Sequence, residues 1–288
     1  YRWLPRHIAF DDFKSGKMAP SGMSMILMDI ENHRTLDIIL SRRNRYLRGY
    51  FLRYDRSARL AVQTVTVDLY TPYRRLIREL FPNAIIIADH FHVVAQAYRA
   101  LNQIRIQAMN RAGKGTRQWR ALKHFWKLIL TPASELKYDN YWRRANFGYA
   151  QLTDIELIHR LLDFDENLAH AYRYYQSLIL AVGQRSRSRL NQLLTIKLTV
   201  LPQPLQKVQR TLRQHKKEIL HSFKYETYTN GPVEGTNNKI KVIKRVAYGF
   251  RNFANFRIRI LLALPNTYIA INWKNKQAAR VKVQARAA

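Results

Sequence analysis

Cysteine is absent from all 288 residues. That removes disulfide staples, thiol nucleophiles and cysteine-ligated zinc together, and it makes an intracellular, cytoplasmic setting the simpler reading. Acidic residues are scarce as well, 19 against 50 lysines and arginines, for a formal charge of +31. Solubility needs far less, and a charge of this size repels itself unless a polyanion accompanies it, so nucleic acid is the natural partner. Long apolar runs are missing too. Stretches such as Ile260 to Pro265 end well short of the roughly 20 residues that span a bilayer, and the start carries no signal-peptide pattern, so no membrane partner is expected. The chain opens on Tyr1 rather than Met and enters a strand-like run almost at once, as a fragment lacking its N-terminal part would. At 47% hydrophobic content it can bury a sizeable core.

Two textures follow one another along the chain. Up to about residue 90, short β-branched runs recur at His7 to Asp11, Ser24 to Asp29, Thr35 to Leu40, Val62 to Asp68 and Ala84 to Asp89, which read as five strands. The polar turn Glu31-Asn32-His33-Arg34 joins the second and third, so the first three form an antiparallel meander. Between the fourth and fifth, Pro72 to Leu80 places apolar residues at helical spacing with proline near the first turn, giving a strand, helix, strand crossover. From about 91 to 225 the texture turns helical, with Val94, Tyr98, Leu101 and Ile104 at three- and four-residue steps. Glycine-rich and arginine-rich tracts, Ala112 to Thr116 and Gly183 to Arg189, read as exposed loops there. The polar, basic stretch 275–288 reads as a fraying tail.

The most telling stretch is Asn230-Gly231-Pro232-Val233-Glu234-Gly235-Thr236-Asn237-Asn238-Lys239 with the basic run from Lys241 to Arg251 behind it. It puts one carboxylate at the start of a helix whose other polar side chains are amides and cations. Asn230 is placed to cap that helix and Pro232 suits its first turn. Glu234, Asn238, Lys241 and Arg245 share a stripe at steps of four, three and four, while Val233, Ile240 and Ile243 line the opposite side and can pack on a sheet. Taken alone, this helix reads more readily as an ordinary solvated amphipathic one. Two distant aspartates change the weighting, because Asp11 and Asp68 both stand at the ends of expected strands. Three carboxylates beside a basic surface suit metal-assisted phosphodiester chemistry, in which two hard cations about 4 Å apart activate one oxygen and neutralise another.

The order β-β-β-α-β-α-β with an acid on the first strand, another on the fourth and a third on a late helix is the layout of a ribonuclease H-like fold. The segments Phe10-Asp11-Asp12-Phe13, Val67-Asp68-Leu69-Tyr70-Thr71-Pro72-Tyr73, Ala88-Asp89-His90-Phe91-His92-Val93 and Asn230 to Phe253 resemble, in the same order, the DDE transposases of the ISL3 group of bacterial insertion sequences. The resemblance implies an α/β fold with a mixed five-stranded sheet and flanking helices. It implies core segments at 1–90 and 226–274, and a mainly helical insertion at 91–225 before the last catalytic acid. It also implies a metal-binding catalytic triad of Asp11, Asp68 and Glu234 holding two Mg2+ ions, with Mn2+ as a substitute. Water would release a 3′-hydroxyl, which would then attack target DNA with no covalent protein intermediate. The partners implied are double-stranded DNA at element ends and target, in the bacterial nucleoid, and further copies of the chain. Full-length members of the family carry an N-terminal DNA-binding region with a cysteine-bearing zinc module, which this sequence lacks. Two other readings stand beside the active enzyme: a truncated, non-catalytic DNA-binding remnant, and a stand-alone ribonuclease H-like nuclease.

Asn238, Lys241, Lys244, Arg245 and Arg251 are the expected DNA contacts, with Arg257 beside them. Asp12 adjoins Asp11, but strand side chains alternate faces, so only one of the two enters the site, and the family pattern favours Asp11. Asp12 is left a supporting role. Asp89 is either a supporting ligand beside Asp68 or a helix N-cap, and His92 either positions phosphate or water or is a structural histidine. Trp119, Phe125 and Trp126, set among arginines and lysines, fit helix core or base stacking. Tyr248, Phe250, Phe253 and Phe256 are expected to anchor the last helix on the sheet.

Overall fold

Side chains of the first strand, β1 (His7–Lys14), alternate between two separate cores. Ile8 and Phe10 enter one; Ala9 and Phe13 enter the other. The computed structural model describes residues 1–268, in two compact units: Tyr1–Asp89 with the segment from Lys224 onward, and His90–Phe223.

In the first unit β1 is followed by β2 (Met23–Asp29), β3 (Arg34–Ile39), α1 (Asn44–Phe51), α2 (Arg56–Leu60), β4 (Thr64–Val67), α3 (Thr71–Leu80) and β5 (Ile85–Ala88). The sheet order is β3-β2-β1-β4-β5, antiparallel across the first three and parallel from β1 through β4 to β5. This is the mixed five-stranded sheet of a ribonuclease H-like fold. On one face Phe10, Met25, Leu27 and Val65 meet Leu47 and Phe51 of α1 and Tyr73, Leu76 and Ile77 of α3. Pro72 sits in the first turn of α3, where its missing N–H leaves no helical bond unmade.

The second unit is helical: α4 (His90–Ala112), α5 (Arg117–His124), α6 (Trp126–Leu130), then a small ribbon of β6 (Trp142–Arg144) and β7 (Ala150–Leu152), and α7 (Asp154–Leu162), α8 (Glu166–Gly183), α9 (Arg187–Thr195), α10 (Gln203–Gln214) and α11 (Lys216–Lys224). The buried stripe of α4 runs through Val93, Ala97, Leu101, Ile104 and Ala108, so Val94 and Tyr98 are displaced from the core that their spacing implied. α4 and α8 pack against one another, and Ala97 and Ala108 on the first and Ala171 on the second are buried. A buried polar joint finishes the packing: Tyr174 donates to Gln209 Oε1 at 2.5 Å, and Gln209 donates to the carbonyls of Leu193 and Ile196. The tryptophans are not core. Trp119 is half-buried and Trp126 exposed, with the ammonium groups of Lys123 and Lys127 at 4.6 and 5.7 Å from their rings.

The chain completes the first unit with α12 (Gly231–Val246) and α13 (Phe253–Ala263). Val233 and Ile240 of α12 and Phe256, Ile260 and Leu261 of α13 bury against Ala9, Phe13, Ile26, Met28 and Ile38, the second face of the sheet. The result is a three-layer α/β/α domain. Phe250 and Phe253 pack on this core and Phe256 is within it, but Tyr248 is wholly exposed at φ +52° and anchors nothing. The stretch 275–288, read as a tail, lies outside the described residues.

Candidate active site

Strand register brings the aspartates together at one end of the sheet. β1 and β4 pair in parallel through His7↔Thr64, Ile8↔Val65 and Ala9↔Thr66, so continuing two residues sets Asp11 beside Asp68. β4 and β5 pair through Val67↔Ala88, and the next step sets Asp68 beside Asp89. Adjacent strands lie about 4.8 Å apart. Three aspartates therefore stand at neighbouring positions across three parallel strands, Asp11 within β1 rather than at its end, and Asp68 and Asp89 just past the carboxyl ends of β4 and β5, the edge where ligands of open α/β sheets bind.

Each of these carboxylates has its own environment. Asp11 shares its face of β1 with Ala9 and Phe13, the face covered by α12, and its Oδ2 accepts a 3.0 Å hydrogen bond from Asn237 Nδ2. Its Oδ1 accepts from the Asp12 amide at 2.8 Å. Asp68 is half-buried; its Oδ1 accepts from the Tyr70 amide at 2.8 Å and its carbonyl from Arg74. Asp89 is buried, its amide donating to the Val67 carbonyl. Asp12 faces the other side of the sheet, where Arg42 meets it at 2.7 Å and the Tyr73 hydroxyl at 3.4 Å. Burial, with the charges of Asp12 and Asp68 nearby, pushes the Tyr73 phenol well above its ordinary range, so it remains a donor. The structure thus parts Asp11 from Asp12, as alternation requires. His92 lies in the first turn of α4 in the other unit, half-buried, with its ring edge-on to Phe91.

Glu234 is exposed in the first turn of α12, one turn before Asn237. Residues three apart on a helix have neighbouring Cβ atoms about 5–6 Å apart, so Glu234 neighbours, along α12, the amide that reaches Asp11. Two contacts hold the approach to α12: Thr66 on β4 donates to the Tyr228 carbonyl at 3.0 Å, and the His7 ring stacks on Tyr228 at 4.3 Å. Asn230 occupies the N-cap position without capping. Its side chain is 2% exposed, and neither amide atom has a hydrogen-bond partner among the described residues. Downstream, Lys241 donates to Asn238 at 3.0 Å, and both are exposed. Lys244 donates to the Lys14 carbonyl at 2.9 Å, tying α12 to the end of β1. Arg245 and Arg251 are exposed, whereas Arg257 is turned to Asp37 at 2.5 Å and does not join them.

Asn237 is the residue the sequence did not single out. It falls on the helix between Glu234 and the apolar Val233–Ile240 side, and a buried amide on that border signals a partner on the sheet. Its Oδ1 is buried with no hydrogen-bond partner among the described residues. Among the described residues, no three histidine, aspartate or glutamate side chains close around a point as a finished metal cage would. The donor chemistry nevertheless fits a hard divalent ion: carboxylates of Asp11, Asp68 and Glu234 and an amide oxygen at Asn237, without sulfur or imidazole.

An α/β/α domain with this strand order defines the ribonuclease H-like class. Within it, the chain belongs to the ISL3 family of DDE transposases, whose model, described as a transposase, matches residues 8–260. The chain is 26% identical over 268 residues to the transposase for insertion sequence element IS1001 of Bordetella parapertussis, covering 90% of this chain and 61% of that protein. It is also 37% identical over 140 residues to a Lactococcus lactis subsp. lactis protein named an ATP-dependent protease, covering 49% of this chain and 43% of that one. The chain thus spans about half of the length of these curated relatives. No solved structure matches it.

Proposed function

We propose that this chain is the catalytic core of an insertion-sequence transposase that cleaves double-stranded DNA at element ends and joins it to a target. Asp11, Asp68 and Glu234 hold Mg2+, or Mn2+ in its place. One contact carries the reading: the bond from Asn237 to Asp11, which joins the first strand to the Glu234 helix across 226 residues of sequence. A solvated surface helix has no need of a buried amide aimed at a carboxylate on a strand.

Two divalent ions bound there would activate the attacking oxygen and neutralise the leaving one. The chain's own residues prepare that chemistry. Asn237 and the Asp12 amide fix both oxygens of the Asp11 carboxylate, and the Tyr70 amide orients the carboxylate of Asp68. Asn238, Lys241, Arg245 and Arg251 supply phosphate contacts along and just beyond α12, and Lys244 braces that helix against β1. Asp89 supports Asp68 from β5. The helical segment 91–225 acts as an insertion between the second and third acids, and synapsis of two ends calls for more than one copy, on the bacterial nucleoid.

The test is strand cleavage and transfer by the full-length protein on a plasmid carrying element ends, with Mg2+ present. Cutting and joining are expected, and Asp68→Ala is expected to abolish both while DNA binding persists. Binding without cutting, unchanged by Asp68→Ala, would establish a non-catalytic remnant; cutting without joining would establish a nuclease.

A further inference from the structure

At the edge of the sheet, two strands from β1, a groove of about 1300 Å³ runs along β3 between α1, the residues preceding β1 and the start of α13. Its lining is unusual in composition. Of eighteen lining residues, seven are aromatic and five are arginines, Arg2, Arg43, Arg45, Arg53 and Arg257. Asp37 is the one acid among them, and it is occupied: its Oδ1 accepts from Arg257 and from the Ile38 amide, and its Oδ2 from the Tyr50 hydroxyl. The groove is therefore strongly positive and faced with flat rings, of which Trp3 and Tyr46 are 56% and 46% exposed.

We propose that this groove binds single-stranded DNA, with unpaired bases stacking on Trp3 and Tyr46 and phosphates held by Arg43, Arg45 and Arg53. Three observations choose this occupant. The volume exceeds the roughly 300–1,000 Å³ of small-molecule sites, so an extended ligand is called for. Aromatic faces interleaved with guanidiniums grip bases whose π-faces are free, and a duplex keeps those faces inside its own stack. An added peptide strand is disfavoured because amides it would need on β3 are already taken, Ile38 by Asp37 at 2.7 Å and Thr35 by the Asn266 carbonyl at 3.0 Å. That the polynucleotide is DNA rests on the reading above; the groove itself does not involve the carboxylates.

The probe is a fluorescein-labelled oligothymidylate of about 12 nucleotides, within the span bound by other stacking platforms. Its binding to the full-length protein is read by anisotropy in EDTA on the Asp68→Ala background, so loss of catalysis cannot affect the result. The paired Trp3→Ala and Tyr46→Ala substitutions are expected to weaken binding about tenfold or more, because each ring removes a stacking partner. Tyr46→Phe keeps a ring and is expected to bind as the parent does, and unchanged thermal unfolding of each variant confirms that the fold is intact. Equal binding by parent and ring-deleted variants would overturn the proposal. So would a matched duplex that binds as tightly as the oligothymidylate and is weakened equally. A change in self-association on ring deletion, with oligothymidylate binding unchanged, would reassign the groove to a second copy of the chain.

Discussion

Asn237 illustrates how one side chain can hold a site in register. Its amide nitrogen is committed to Asp11 and its oxygen is buried without a partner among the described residues, at the point where strand and helix meet. A buried acceptor left unmatched costs about 1–3 kcal/mol, so its persistence in the fold needs a reason, and a cation or its bound water would supply the missing partner. Asn237→Ala is expected to weaken Mn2+ binding, followed by calorimetric titration, about 10–100-fold, with the overall fold retained. Mn2+ affinity equal to the parent's would show that the amide merely packs the helix. Asp12 is the contrasting residue. One position along the strand, it is held by Arg42 on the far face, and the hydrogen bond between them raises the guanidinium pKa further.

At the scale of elements, the strands were legible because each is a short apolar run closed by a turn, and β-branched runs bounded in this way have few other solutions. α12 was legible for a related reason: Val233, Ile240 and Ile243 recur on one side, and Pro232 marks the start. Much of the second unit was not. The three-residue strands of β6 and β7 carry Trp142-Arg143-Arg144 and Ala150-Gln151-Leu152, too short for alternation to register. α4 is apolar on so much of its circumference that a stripe one residue away fitted as well. Asn237 escaped because a sequence pattern locates an amide on a helix but not the carboxylate across the interface, and Asn230, expected as a cap, is buried there without capping.

α7 gives this scale its own prediction. Thr153 caps it by accepting from the Glu156 amide, while Glu156 accepts from the Thr153 amide and hydroxyl, and these donors hold the Glu156 carboxyl below its usual range. A depressed carboxylate stabilises the fold above its unfolded pKa, and that contribution is lost as pH falls through the folded value. Thr153→Ala is expected to lower the melting temperature of the second unit by about 4 °C at neutral pH and by less at acid pH. A difference that stays constant on acidification would refute the coupling between hydroxyl and carboxylate.

For the molecule as a whole, a charge of +31 would govern how it meets the DNA proposed as its partner. Each phosphate neutralised by a lysine or arginine releases counterions, so the logarithm of the binding constant falls linearly with the logarithm of salt concentration. Replacing Lys241 or Arg251 with alanine is expected to reduce the steepness of that dependence by about one for each residue on duplex DNA, measured by anisotropy across a salt series. Arg257→Ala is expected to leave it unchanged, because that guanidinium already belongs to Asp37. A shallower slope for Arg257→Ala, or an unaltered one for the other two, would mean that the duplex lies elsewhere.

The bond between Asp11 and Asn237 also sets an order of events during synthesis. The strand bearing the first acid leaves the ribosome early, yet the amide that grips it follows only after the entire second unit has been made. A polypeptide halted between Asp89 and Gly231 would carry two of the three acids, but not the third. On the function proposed above, such a truncated product would cling to a chromosome without nicking it, and completion of translation itself would act as a safety catch.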